Sequence, residues 1–192
     1  MELDNGSAKK MKKRLSKNDW LALGIEVLSN EGDAELRIDK LCRKLGVTKG
    51  SFYAHFRNRA EFVSEFIAYW AQVDTDSIVV EINKHQDKPA EERLLRLMRL
   101  VDGLGRASHD IPVRAWATHD ATVAEGVKAV DLQRFEYVRQ LFQEMGFRDA
   151  ELDMRTRLFV IYESAEPGMD LPACKLDRDD QIKLRHAFLT RA

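Results

Sequence analysis

The sequence predicts an all-α fold of about nine helices, an N-terminal three-helix unit with a helix-turn-helix followed by a C-terminal helical bundle. Three observations predict it. Apolar residues recur three and four positions apart through most of the chain, the spacing of one face of an α-helix. No convincing alternation of period two appears, and no internal repeat or low-complexity tract. Capping and stop residues separate one periodic stretch from the next.

Ser16, Lys17, Asn18 and Asp19 have the form of a capping box, after which Trp20, Leu21, Ile25 and Leu28 keep helical spacing until Gly32. This predicts helix 1 over about 16–31. Ile38, Leu41, Cys42 and Leu45 make a short stripe that stops at Gly46, which is helix 2. Thr48 is placed to cap helix 3, whose apolar positions Phe52 and Phe56 lie four apart while Lys49, Ser51, Tyr53 and His55 point elsewhere. Asn58 to Glu61 repeats the capping pattern, and Phe62, Phe66, Trp70 and Val73 follow along one face of a long helix 4, to about residue 84.

Pro89, with Glu91 and Glu92 behind it, suits the first turn of helix 5, whose stripe is Leu94, Leu97, Met98 and Val101. Gly103 and Gly105 weaken its end, and Pro112 is read as the start of a short helix 6 through Trp116. Val123, Val127, Val130, Phe135, Val138, Phe142 and Met145 outline a longer helix that stops at Gly146. From Asp149 to Glu166 there are two stripes, one of Leu152, Phe159 and Tyr162, the other of Met154, Leu158, Ile161 and Ala165. One side can face the core and the other a partner. A Pro- and Gly-containing loop over 166–172 precedes a last helix that Asp177 caps and Ile182, Leu184, Phe188 and Leu189 stripe.

The net charge of −1 conceals an asymmetry. Residues 1–59 carry 13 Lys/Arg against 8 Asp/Glu, and the rest carry 18 against 24. A basic first third joined to an acidic remainder suggests that the first part meets a polyanion. The apolar runs fall well short of the ~18 residues that cross a bilayer, so no membrane partner is expected. The N-terminus lacks the apolar core of a secretory signal, and Cys42 and Cys174 read as thiols of a reducing compartment rather than a disulfide framework, so a cytoplasmic location is expected.

Two short helices joined at Gly46 and Val47 form a helix-turn-helix, which places the N-terminal side chains of its second helix in the major groove of DNA. The break lets helix 3 leave helix 2 steeply, with Val47 plugging the core and Thr48, Lys49 and Ser51 outward. Gly50 lacks a side chain and either lets the backbone approach a phosphate or base edge closely or is simply tolerated near a helix start. Lys49 offers a flexible cation, Thr48 and Ser51 hydrogen-bond phosphate or base edges, Tyr53 offers a hydroxyl, and Arg59 sits where the helix dipole favours an anion.

The run GVTKGSFYAHFRNRAEF, residues 46–62, resembles the helix-turn-helix signature of TetR-family transcriptional regulators nearly position by position. The likeness covers roughly residues 16–66. It implies a DNA-binding domain at 16–60, a ligand-sensing and dimerisation domain at 61–192, and a homodimer formed largely by the last two helices. Carried over by position, Thr48, Lys49, Gly50, Ser51, Tyr53 and His55 touch DNA and Arg59 reaches a phosphate. Arg37 departs from the pattern, since relatives usually carry Ser or Thr there to cap helix 2 and bind phosphate. Arg37 can pair with phosphate but cannot cap. Lys9, Lys10, Lys12, Lys13 and Arg14, in a basic arm over 1–15, either follow the DNA backbone or solubilise the chain.

The resemblance further implies a small-molecule effector, and Trp70, Met98, Trp116, His119, Phe135, Tyr137 and Tyr162 are the candidate pocket residues of the second domain. Against this stand a helix-turn-helix regulator with no effector, and a small metal-dependent hydrolase using His109-Asp110 and His119-Asp120. The hydrolase needs further ligands from other helices that spacing alone does not supply. No nucleophile motif, phosphate-cradling glycine loop or Cys-x-x-Cys is present, so neither catalytic residues, nor a metal, nor a cofactor is expected.

Overall fold

The computed structural model describes residues 15–103 and 107–191, with backbone alone at 107 and 108. The basic arm as far as Arg14, and Gly105, lie outside the described residues. Within them there are nine helical rods and no strand. They are α1 (Lys17–Glu31), α2 (Ile38–Leu45), α3 (Lys49–Tyr53), α4, α5 (Ala90–Gly103), α6 (Ala107–Ala117), α7 (Ala121–Glu144), α8 (Asp149–Ala165) and α9 (Arg178–Thr190). The rod α4 opens as Arg59–Ala71, passes through one π-helical turn, Gln72–Asp76, and continues as Ser77–Asn83. Short 3-10 turns occupy Asp33–Glu35 and Glu166–Gly168.

The capping residues act largely as the sequence foretells. Ser16 accepts from the Asp19 amide while the Asp19 carboxylate takes the Ser16 amide at 2.6 Å, a closed capping box. Asn58, Asp120 and Asp177 cap α4, α7 and α9 through their side chains. Two starts differ. Thr48 holds the N-cap position of α3, but its hydroxyl makes no capping bond. Pro112 lies inside α6, which begins at Ala107 instead. As the sixth residue of α6, Pro112 forgoes one ladder bond while the helix continues through it, so it does not mark the boundary.

One buried cluster joins the head to the bundle. Trp20, Leu41, Phe52, Phe56, Phe62 and Phe66 pack with Val113 and Trp116 of α6 and Val123 and Val127 of α7, so the core runs across residue 60 without a break. A second cluster, around Ile82, Leu94, Met98, Phe142, Phe159 and Ile182, fills the far end. Fully burying a side chain such as Phe52 is worth about 1.5–3 kcal/mol. At the α4–α7 crossing Gly126 lets the backbones approach, because a Cβ there would collide with Cγ2 of Ile67.

The π turn explains a departure from the simple helical stripe. Phe62, Phe66, Trp70, Asp74, Ile78 and Ile82 are all buried, one every four residues. An ideal α-helix advances about 40° per four-residue step, so that line would drift about 200° over five steps. The underwound π turn takes back part of the drift. As a result Asp74 and Thr75, at 2% and 3% exposure, occupy the inward face where Val73 was expected, and Val73 is half-buried.

Candidate nucleic-acid interface and buried cavity

Gly46 ends α2 in the left-handed conformation, φ 65° and ψ 36°, where a side chain is strained. Its amide reaches the Arg43 carbonyl at 3.2 Å and the Val47 amide reaches the Cys42 carbonyl at 3.0 Å, the paired bonds of a Schellman stop. Val47 then packs against the core. Phe52 and Phe56 anchor the next turn: Phe52 meets Trp20 edge-on with ring centroids 5.4 Å apart, and Phe56 meets Phe62 likewise at 5.2 Å. With those two positions buried, the opposite edge of α3 is left to solvent.

That edge carries Thr48, Lys49 and Gly50 exposed, Ser51 and His55 half-buried, and Tyr53 at 53% exposure. Arg59, at the start of α4, is exposed beside it. Neither Lys49 nor Arg59 makes a salt bridge with any described residue, so both charges remain available to a polyanion. A Cβ on Gly50 would meet only Oγ1 of Thr48, at an ordinary 3.5 Å, so nothing within the chain demands glycine there. Arg37 is exposed and bonded to Asp39 at 3.2 Å, and it holds the N-cap position of α2 without a side-chain capping bond.

Sequence reasoning passed over Arg57. Its side chain is 86% exposed on the same rim, and among the described residues its one acidic partner is the Glu61 carboxylate, at 3.1 Å. The Arg57 amide also donates to Glu61 at 2.6 Å, and these bonds, the amide first, hold the Glu61 carboxyl below its ordinary range. The motif's basic character around residue 57 was the available signal. Its position outside the α3 face hid it.

A cavity of about 70 Å³ lies where the π turn of α4 faces α5, α6, α7 and α8. At ~10–15 Å³ per water it has room for about five water-sized bodies. One end is polar. Arg134 donates from Nε to Thr75 at 2.9 Å and from its two terminal nitrogens to Asp110 at 2.5 and 3.1 Å, and it lies 5.6 Å over the Trp70 ring. The Asp74 carboxylate is 3.0 and 3.3 Å from Nδ1 of His109. Glu163 closes another side, taking a bond from Arg185 at 2.7 Å. Burial, outweighing the attraction of Arg185, pushes the Glu163 carboxyl up to about 7. Ile78, Val101, Val138, Phe159 and Val160 supply most of the apolar remainder.

Of the aromatic and sulfur residues expected to line a pocket, only Tyr137 reaches this cavity. Trp70, Met98 and Trp116 are core residues at 0–1% exposure. Phe135 lies under Arg157, and Tyr162 lies 4.0 Å from the Arg185 guanidinium. His119 is at the surface, 2.9 Å from Asp33. The two His-Asp steps likewise do not converge: His109 bonds Asp74, Asp110 bonds Arg134, His119 bonds Asp33, and Asp120 caps α7. Among the described residues no three His, Cys, Asp or Glu side chains form a metal-sized group.

Residues 21–66 match the family described as bacterial regulatory proteins, tetR family, over the segment that forms α1 to the first part of α4. The likeness to the TetR family lies in that segment. Its all-helical fold is shared along nearly the whole length with solved structures. A candidate transcriptional regulator from Saccharomonospora viridis, solved in complex with choline, superposes with a TM-score of 0.70 at 16% identity, covering 90% of this chain and 93% of that one. The fatty acid degradation regulator FadR from Bacillus halodurans gives 0.66 at 17% identity, covering 93% and 96%. BioQ with its double-stranded DNA operator gives 0.51 at 23% identity, covering 93% and 99%. No curated protein matches by sequence.

The TetR match ends at Phe66, one turn before Trp70. Everything that lines the cavity lies beyond it. The family match therefore bears on the helix-turn-helix segment alone, while the chemistry of the bundle must be read from this chain's own residues. Among the described residues no helix is long and apolar enough to cross a membrane.

Proposed function

We propose that this TetR-family chain is a ligand-responsive transcriptional regulator that binds a palindromic operator as a homodimer and represses until an effector enters the cavity. Thr48, Lys49, Gly50, Ser51, Tyr53 and His55 read the major groove, with Arg37, Arg57 and Arg59 on phosphates. The observation that carries the reading is the continuity of α4. The same rod presents Arg59 at the DNA edge and Asp74 and Thr75 at the cavity wall. A ligand that rearranges the bonds of Asp74 and Thr75 therefore moves the element that sets the angle of the head. Paired recognition helices must sit about 34–36 Å apart to enter successive major grooves, so a small swing of α4 removes them from register.

The dimer face is the second stripe of α8 together with α9. Met154, Leu158 and Ile161 are 55–61% exposed, and Leu184 and Phe188 are 46% and 66% exposed on the neighbouring helix. Five large apolar side chains on one two-helix surface support burial against a second copy. The solved complexes of fold relatives with choline and with operator DNA are consistent with a ligand site and a DNA site on one scaffold. No catalytic role is assigned, because the His-Asp pairs are spent on separate structural bonds.

Fluorescence anisotropy with a duplex selected from a random pool tests the reading. Lys49→Ala and Tyr53→Ala should each weaken binding by about 1–3 kcal/mol at fixed salt, and Lys49→Ala should also make the salt dependence shallower by about one unit of slope if it neutralises a phosphate. Wild-type affinity in both variants would remove α3 as the reader.

A further inference from the structure

We infer that the cavity takes a small organic cation, an amine or ammonium compound of a few heavy atoms, rather than a carboxylate, a phosphate or an uncharged molecule. The inference rests on the effector reading above and deepens it. Three of the cavity's lining side chains are carboxylic, Asp74, Asp110 and Glu163, and one is a guanidinium, Arg134. That guanidinium is spent: Nε and both terminal nitrogens already donate to Thr75 and Asp110. Among the described residues an entering anion would find no uncommitted cation on the wall. It would instead face the Asp74 carboxylate, and Glu163 whenever that group is ionised, across a space only about 70 Å³ in volume, where like charges repel strongly.

A cation meets the opposite situation. Asp74 is buried and held by His109, whose imidazole carries a full charge only when protonated. Glu163 receives one hydrogen bond among the described residues, from Arg185 behind the wall, and that contact does not offset its burial. Arg114, the other nearby base, is turned to Asp131 at 2.5 Å and reaches Asp110 only at 3.6 Å. A bound ammonium would thus add positive charge beside buried carboxylates whose present partners offset their burial only in part. The rings of Tyr137 and Phe159 favour the same ligand, since aromatic faces attract cations, and the surrounding valines accept a short alkyl body. The polar half of the wall is the π turn itself, so the ammonium group would be gripped by the one part of α4 whose winding is irregular.

The test compares charge at constant shape in the full-length protein. Butylammonium, butanol and butyrate form one series, and choline with its uncharged tert-butyl isostere forms a second, for primary against quaternary nitrogen. Calorimetry reads binding, and anisotropy with the selected duplex reads release. At least one cation should bind about tenfold or more tighter than its uncharged partner, with butyrate weaker still, as expected for a desolvated charge contact. Asp74→Asn and Glu163→Gln should each erase most of that preference, two variants being used because Glu163→Gln leaves Arg185 buried and unpaired. Equal or tighter binding of butanol or butyrate, or no binding of either cation, overturns the inference. A cation that binds while operator affinity stays constant supports the cavity chemistry and overturns the effector reading. Release of DNA by butyrate or butanol does the reverse.

Discussion

Gly126→Ala offers a quantitative test of how α4 is held, because the consequence changes sign with its neighbour. A Cβ at 126 would lie well inside 3.0 Å of Cγ2of Ile67, a buried residue of α4. Carbon atoms at rest keep about 3.5–4.0 Å, and the β-branched Ile67 cannot easily rotate its methyl away. Overpacking of this kind costs about 1–3 kcal/mol, and replacing a mid-helix glycine returns about 1 kcal/mol. The net expectation is a loss of up to about 2 kcal/mol, at about 2–4 °C of melting temperature per kcal/mol for a chain of this size. In an Ile67→Ala background the obstructing methyl is gone, and the next atom, Cβ of residue 67, sits at a tolerable 3.4 Å. There Gly126→Ala should stabilise by about 1 kcal/mol through helix propensity alone. Denaturation of all four proteins at one concentration closes the cycle. A coupling energy below about 0.5 kcal/mol would mean that α4 and α7 do not cross as closely as described.

Two further outcomes follow from named groups. The Glu163 carboxyl is raised in the folded chain, so the folded state holds a proton that the unfolded state has lost between the ordinary carboxyl value and about 7; stability should fall as pH rises through that window, by no more than about 3 kcal/mol, and level off above it. Glu163→Gln should flatten this limb of the urea-denaturation profile, and an unchanged slope would place the titration elsewhere. Phe188→Glu, at the most exposed position of the α8–α9 stripe, should give a monomer in sedimentation while far-ultraviolet dichroism stays helical, and a persistent dimer would move the interface off this face.

The parts of the molecule that the sequence exposes are those decided within a few residues. Ser16 with Asp19, Gly46, Asn58 and Asp177 each act on their own turn, and each stops or starts a helix where expected. The doubled stripe of α8 is also local, since two apolar faces on one helix leave one uncovered: Leu152 and Phe159 are buried while Leu158 and Ile161 stand out. The start of α6 was obscured for the converse reason. Proline is a strong local signal for a first turn, but here Pro112 is the sixth residue of a helix that tolerates the lost ladder bond, and the Ala and Ser that open it carry no periodicity.

The cavity was not legible because its wall is polar and its bonds are long-range. Periodicity looks for apolar residues on one face, and by that criterion Trp70, Met98 and Trp116 look more like a binding surface than Asp74 or Thr75 do. Those large side chains instead fill the core. Asp74 and Thr75 can turn inward because His109, 35 residues on, and Arg134, 59 residues beyond Thr75, satisfy them there. A buried carboxylate without such a partner is strongly unfavourable. No window of neighbouring residues contains that information. The π turn compounds the difficulty, since it advances the buried face by its own local winding and defeats a template of 3.6. What the sequence can say is narrower: a carboxylate in line with Phe62, Phe66 and Trp70 must either break the helix or find a partner in the core, and in this chain α4 keeps its hydrogen-bonded course and finds the partner.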